Sequence, residues 1–403
     1  MEFGKEKDVQ EIDKPSFLRT SKKPAEILLR MFLLVTFLMV INLLFCLKIE
    51  WNIFIKRLLA FKDLNSMWSA IVAVFATDDA STLFKYIHQF TSDQNALHYS
   101  ASRNCNLKEF RARLKVVDTN VSKVFMAFII MCGVLPYSVG IIMILKSDPS
   151  EISADRLPFI MTVYYPEDYR SVNVFLIVQT IMFLWYAMII YLWDMNLKSM
   201  LLSIECVTHQ TDFVCETLQR IDEIIATTPK TGAVQSQIES FNSTPSGKDD
   251  LKDFFNQIIK DHQSICSAAK MLNGKVNGIT MGFMNIFGFQ LCICLMFIVE
   301  AKEITLKVRH VFRYCLVSAI LFFCTIKCQK LKDKGQQLRD AVYGSSWTDK
   351  PRWLRKSLTV MMTMANKDMQ ISPYGIYVID MSYMTSIVKA SFTYFNVLSA
   401  LKA

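Results

Sequence analysis

The sequence predicts an all-α integral membrane protein of seven transmembrane helices. Its N-terminus is expected in the cytoplasm, its C-terminus outside, and several helices run on into a cytoplasmic assembly region. Three observations predict this. Apolar residues fill 52% of the 403 positions, with 29 Phe and 22 Met but only 12 Gly; several bilayer spans account for that directly, where a soluble domain would need an unusually large core. Apolar runs of bilayer length recur along the chain. Lys and Arg on the N-terminal arm and on the stretches after the second, fourth and sixth runs outnumber those on the other side by roughly three to one, which holds the N-terminus inside.

The arm, 1–26, is charged and punctuated by Pro15 and Pro24. The first span, Ile27 to Ile49, is continuously apolar, with Arg30 near one end, where its side chain can snorkel. It is too long for a cleavable signal peptide and lacks a small-residue cleavage site. The second, Leu64 to Phe90, is interrupted by Asp78, Asp79 and Lys85. Acids within a span are costly and often functional; a tilted helix with both in a water-filled vestibule, near Lys85, is the plainer reading. Val121 to Leu145 is the third span, with Pro136 able to bend it. The following loop, Lys146 to Ser171, holds Pro149, Pro158 and Pro166 with Tyr164 and Tyr165, and reads as a structured extracellular lid.

Val172 to Trp193 is the fourth span. The spacing of Leu201, Ile204, Val207, Val214, Leu218 and Ile221 continues it into the cytoplasm. Thr227 to Lys248, rich in Thr, Ser, Gly and Pro, reads as a disordered link. Helical spacing resumes at Leu251, Phe254, Ile258 and Ile265 and leads into the fifth span, Gly278 to Val299, so a cytoplasmic helical region covers 198–275. With the sixth span, Val311 to Ile326, the ligand-binding bundle occupies 27–326. Cytoplasmic anchor helices fill 327–372: an extension from Lys327, a turn at Tyr343 to Trp347, and a short Met-rich helix at Lys356 to Asn366.

The last segment, 373–403, carries the seventh span, Met381 to Leu401. Ser386, Ala390, Thr393, Val397 and Ala400 with Leu401 recur at steps of three and four and share one helix face. Tyr383, Ile387, Phe392, Phe395 and Leu398 fall largely elsewhere. A narrow uncharged stripe suits an ion pore shared between subunits; small residues also let helices approach closely.

The chemistry of enzymes is missing from the pattern. Five His are scattered, none spaced with Ser, Cys or a carboxylate as a triad or metal box requires. There is no phosphate-cradling lysine loop and no dinucleotide fingerprint, so no cofactor is expected. Of 11 Cys, Cys46, Cys132, Cys292, Cys294, Cys315 and Cys324 fall in spans and Cys105, Cys206, Cys215, Cys266 and Cys328 on the cytoplasmic side. No two share an extracellular loop, so they read as small hydrophobes rather than disulfides. The net charge of +9 reflects the loop asymmetry and argues for no nucleic acid. The sequons at Asn120 and Asn242 fall on the cytoplasmic side and should carry no glycan.

Several local patterns together resemble the insect odorant receptor family over essentially the whole chain. They are Cys324 with Lys327 and Leu331; the run from Leu338-Arg339-Asp340 through Tyr343-Gly344 to Trp347; Ser391-Phe392-Thr393-Tyr394-Phe395; Leu157-Pro158-Phe159 with Tyr165-Pro166; and Ile258 to Ile265 around His262. One departure is Lys334-Gly335, where many members have Glu-Ser. The resemblance implies a ligand-gated, non-selective cation channel in the plasma membrane of a sensory neuron dendrite. The last helix of each of four subunits would line the pore, cytoplasmic helices would make most subunit contacts, and a small volatile ligand would sit among the outer halves of the other helices. Gustatory relatives end in Thr-Tyr, five apolar residues and Gln-Phe. Here Ala400-Leu401 follows Thr393-Tyr394 at the matching positions, which favours the odorant branch. The shared co-receptor keeps Gln where Ala400 stands, so the chain resembles a ligand-tuning subunit that joins that co-receptor in a hetero-tetramer. A gustatory-type channel is the first alternative. A G-protein-coupled receptor would have the opposite topology, and a transporter would show internal hydropathy symmetry.

The resemblance places Val397 at the hydrophobic gate, with Thr393, Ala400 and Leu401 on the pore face and Lys389 turned sideways. Helix spacing picks the faces that converge on a ligand: Ile71 and Phe75 from the second span; Ile130, Gly133 and Tyr137 from the third; Leu176, Gln179, Thr180 and Phe183 from the fourth; and Phe287 and Gln290 from the fifth. Such a lining, mostly aromatic and aliphatic, suits a small neutral molecule without a fixed charged partner.

Overall fold

The computed structural model describes residues 22–50, 54–92, 101–146, 171–227, 245–302, 304–345, 347–349 and 352–400, and every regular element among them is helical. In chain order these are α1 (Lys22–Glu50), α2 (Phe54–Phe75), α3 (Thr77–Ser92), α4 (Ala101–Ile129), a π-turn (Ile130–Val134), α5 (Leu135–Lys146), α6 (Val172–Thr227), α7 (Pro245–Glu300), α8 (Ile304–Gly344), α9 (Arg352–Ala365) and α10 (Met381–Ala400). The stretches Glu109–Leu145, Val172–Gln219, Phe255–Glu300 and Leu306–Gly344 are long and apolar enough to cross a bilayer. The bent pair Leu59–Phe75 and Thr77–Thr91 adds a fifth, and Leu29–Leu44 is a shorter apolar helix. Counting α10, a helix stands at each of the seven expected spans. Most of the arm, the expected lid and most of the link lie outside the described residues. Pro245 to Lys248, expected in the link, form the first turn of α7 instead, where the missing proline N–H costs nothing.

The apolar residues divide by face. On α1, Phe32, Thr36, Met39 and Leu43 are buried at helical spacing, while Met31, Leu34, Phe37 and Leu38 are exposed. An apolar outer surface of that kind belongs against lipid. Several polar groups inside the bundle are hydrogen-bonded within it. Trp185 Nε1 donates to Thr36 Oγ1 at 3.0 Å, and the Thr36 hydroxyl donates to the Phe32 carbonyl at 2.8 Å.

The second span is not the single helix expected over Leu64 to Phe90. It breaks at Ala76 and bends by 47°. A bend frees backbone carbonyls, which need other donors in an apolar medium. Here Asn196 Nδ2 donates to the Ala73 carbonyl at 2.9 Å, and Thr77 Oγ1 donates to the Val74 carbonyl at 2.7 Å. The break also explains the acids: Asp78 and Asp79 lie in the first turn of α3, where carboxylates offset the positive end of the helix dipole.

In the third span Pro136 acts through a register change. Lacking an N–H, it cannot bond the Cys132 carbonyl. The helix widens instead into the Ile130–Val134 π-turn, and the Leu135 N–H reaches the Ile130 carbonyl five residues back.

The described chain forms two compact units, one of Met1–Leu201, Gly278–Phe323 and Met384–Ala403, the other of Leu202–Asn277 and Cys324–Tyr383. The second is laced by ion pairs. Glu205 takes Lys327 at 2.9 Å and Lys330 at 3.4 Å, Lys334 takes Asp212 at 2.6 Å, and Arg339 takes Asp368 at 2.8 Å. Asp380 caps the approach to α10, accepting the Tyr383 backbone N–H at 3.0 Å and pairing with Lys332 at 3.1 Å. Burial pushes the Asp380 carboxyl up, but the capping N–H and the ammonium outweigh it and hold the group below its usual range.

The Lys334-Gly335 departure has a structural counterpart in this unit. A Cβ on Gly335 would stand 2.8 Å from Met369 Cβ and 3.4 Å from the Met369 backbone nitrogen. The segment after α9 therefore lies against bare helix backbone. Restoring serine with Gly335→Ser is expected to cost about 1–3 kcal/mol by overpacking, read as a lower midpoint in thermal unfolding of the purified protein.

Candidate functional site

Five helices of the first unit enclose a cavity of about 70 Å³. From α2 come Asn65, Ser66 and Ser69; from α4, Phe125 and Phe128; from α6, Tyr186, Ile189, Ile190 and Trp193; from α7, Ile286, Phe287 and Gln290; from α8, Arg313 and Val317. The spacing within each set follows one helix face.

Aromatic contacts set its shape. Trp193 is buried and meets Phe283 at 5.7 Å and, edge to face, Phe287 at 5.8 Å. Phe128 meets Phe287 edge to face at 6.5 Å. Polar groups are tied down among them. Trp193 Nε1 donates to Ser69 Oγ at 2.6 Å, and Asn65 Nδ2 donates to Gln290 Oε1 and to the Ile286 carbonyl, both at 3.3 Å. Arg313 Nε donates to Cys132 Sγ at 3.1 Å. The mainly apolar lining with a few placed polar groups has the make-up of a small-molecule site. It also holds a cation, contrary to the expectation of no fixed charge. The sixth span was expected to begin at Val311, which leaves Arg313 near an end; α8 begins at Ile304 and carries it inside.

Of the residues picked from spacing, Phe287 and Gln290 line this cavity. Four others gather in an aromatic cluster. Tyr137 stacks on Phe183 at 5.8 Å and shares a 3.0 Å hydrogen bond with Thr180. A Cβ on Gly133 would approach the Phe183 ring to 3.0 Å and the ring of Tyr186, a cavity residue, to 3.9 Å. Gln179 is buried, Leu176 and Ile71 are half-buried, and none of the three lines the cavity. Phe75 is 75% exposed just before the break, and Ile130 is exposed at the start of the π-turn.

Two of the residues that spacing missed belong to the third span. They are Phe125 and Phe128, which precede the π-turn and its change of register. A readable signal existed in Ser66 and Ser69, two hydroxyls three apart inside an apolar run.

Helix α10 has two unlike faces. Met384 and Ser391 are buried, Ile387 lies against Gly288, and Phe395 packs on Ile293, Met296 and Phe297 of α7. Ser386, Ala390, Thr393, Val397 and Ala400 are all exposed in the single chain. The Thr393 hydroxyl donates to the Lys389 carbonyl at 3.0 Å. Leu401 lies outside the described residues. Among the described residues, no group of three or more His, Cys, Asp or Glu is placed to hold a metal ion.

Comparison with known proteins gives the chain its relatives. The sequence profile of the family described as 7tm Odorant receptor matches residues 83–392. "Odorant receptor 10" of Aedes albopictus is 23% identical over 169 residues, which make up 41% of this chain and 44% of that relative's length. The fold is similar to that of the insect olfactory receptor OR5 from Machilis hrabei, with a TM-score of 0.67 at 13% identity over 96% of this chain and 92% of that one. The same protein in complex with eugenol matches with a TM-score of 0.68 at 13% identity, covering 94% of this chain and 91% of that one.

Proposed function

The chain belongs to the 7tm odorant receptor family, and on that premise we propose that it is the ligand-tuning subunit of a ligand-gated, non-selective cation channel. Membership makes it a multi-pass membrane receptor of a family that is not one of enzymes. The finer reading is that it joins the family's shared co-receptor in a hetero-tetramer in the plasma membrane of a sensory neuron dendrite. A small volatile ligand would bind in the helix bundle, and the second unit would form the cytoplasmic assembly region.

One observation carries the reading: α10 packs one face on its own chain and leaves a stripe of small and polar residues bare. Thr393, Val397 and Ala400 lie on that stripe, and Leu401 continues it in sequence. Four such helices around an axis would put the stripes face to face. A ring of Val397 side chains would shut the passage by dewetting and open it by modest separation. The cavity supports the ligand half of the reading, and one solved protein of this fold is in complex with eugenol.

Current recorded from purified chain and co-receptor in a planar bilayer tests this, since only a channel conducts without G protein or substrate exchange. A ligand-evoked current is expected; its absence over a broad panel of volatiles rejects the reading. Within that assay, Tyr137→Ala and Phe183→Ala are each expected to shift the dose–response by roughly two- to tenfold, the worth of a lost aromatic pair. Current from a direct co-receptor agonist should stay unchanged.

A further inference from the structure

Among the described residues, the surroundings of Arg313 hold more positive than negative charge. A guanidinium carries five N–H donors, and its one hydrogen bond among the described residues goes from Nε to Cys132 Sγ. The charged groups within electrostatic reach are Lys62, Arg309 and Asp63. Lys62 is 6% exposed and Asp63 0%, and these two already pair at 3.1 Å. Among the described residues no ion pair joins a carboxylate to Arg309 or Arg313. His310 supplies no balancing charge: it is buried and stacked on Phe297 at 4.1 Å, and neither ring nitrogen has a hydrogen-bond partner among the described residues.

Uncompensated cations inside a membrane bundle are expensive, by several kcal/mol each, unless an anion or water meets them. Arg313 faces a space that can admit one, since it lines the cavity together with the amides of Asn65 and Gln290. The rest of that lining is largely aromatic and aliphatic. By the measure in which one water needs ~10–15 Å³, 70 Å³ accommodates only a compact molecule.

We infer that the cavity takes a short-chain carboxylate, its two oxygens on the free guanidinium edge of Arg313 and its alkyl tail among Phe125, Phe128 and Phe287. The fork of a guanidinium matches a carboxylate bidentately, which a hydroxyl or ester oxygen cannot reproduce. Short carboxylic acids are volatile when neutral and ionised near pH 7, so such a ligand arrives through air and binds as an anion. The inference rests on reading this cavity as the ligand site.

Equilibrium binding of radiolabelled butyrate to the purified full chain in lipid nanodiscs tests it without any current. Butyrate should bind saturably, and unlabelled methyl propanoate, of matched size, should compete at least tenfold more weakly than unlabelled butyrate. Arg313→Gln should remove at least tenfold of the butyrate affinity and leave methyl propanoate unaffected. Failure of butyrate to saturate, equal competition by the ester, or undiminished butyrate binding by folded Arg313→Gln overturns the inference. The wild-type comparison decides it even where Arg313→Gln does not fold. Butyrate binding without current in the bilayer rejects the channel reading alone; current evoked by the ester but not by butyrate rejects the carboxylate alone.

Discussion

Replacing Trp193 by alanine is expected to lower stability by about 3–5 kcal/mol, the cost of truncating a large buried aromatic, and to abolish ligand response. Trp193 is buried where three constraints meet: Ser69 Oγ accepts its indole proton at 2.6 Å, and Phe283 and Phe287 pack on its ring. Since the ring lines the cavity, alanine would merge the vacated volume with it and free Phe287 to move. Ser69→Ala separates the two contributions. It keeps the ring and leaves the indole N–H without its acceptor, at about 1–3 kcal/mol. Thermal unfolding of purified variants reads the stability, and the dose–response of the assembled receptor reads the site. A midpoint for Trp193→Ala within a degree of wild type would mean that the α2–α6–α7 contact contributes little.

Val397→Cys is expected to make the channel reading visible at one residue. Val397 is 52% exposed in the single chain, on the side of α10 away from Phe395 and its contacts. A polar thiol reagent applied to the open channel should abolish most of the current, because a charged adduct on each substituted subunit would fill a narrow pore. Ser391→Cys is the control: Ser391 is 3% exposed on the packed face and should be unreactive. Val397→Cys current that withstands reagent in both closed and open states would remove this residue from the pore.

Local pattern alone was enough for much of this molecule. The long helices, the turn near Tyr343 to Trp347, the short Met-rich helix and the unlike faces of α10 were legible because helical periodicity is a property of neighbours in sequence. A stripe at steps of three and four stays on one face whatever packs behind it. The candidate site was legible only at Phe287 and Gln290, because a cavity depends on the relative phase of several helices. Two spans depart from the ideal helix here. The break at Ala76 is completed by the side chain of Asn196, a residue far along the chain whose role no local spacing announces. The π-turn before Pro136 changes the register of the third span, and Phe125 and Phe128 before it line the cavity while Ile130 is exposed. Arg313 is the sharpest case. By sequence it is a charge near the end of a span, where snorkelling to water would be ordinary. Only the packing of α2, the third span and α8 turns it inward beside Cys132 and gives an otherwise uncharged cavity its cation.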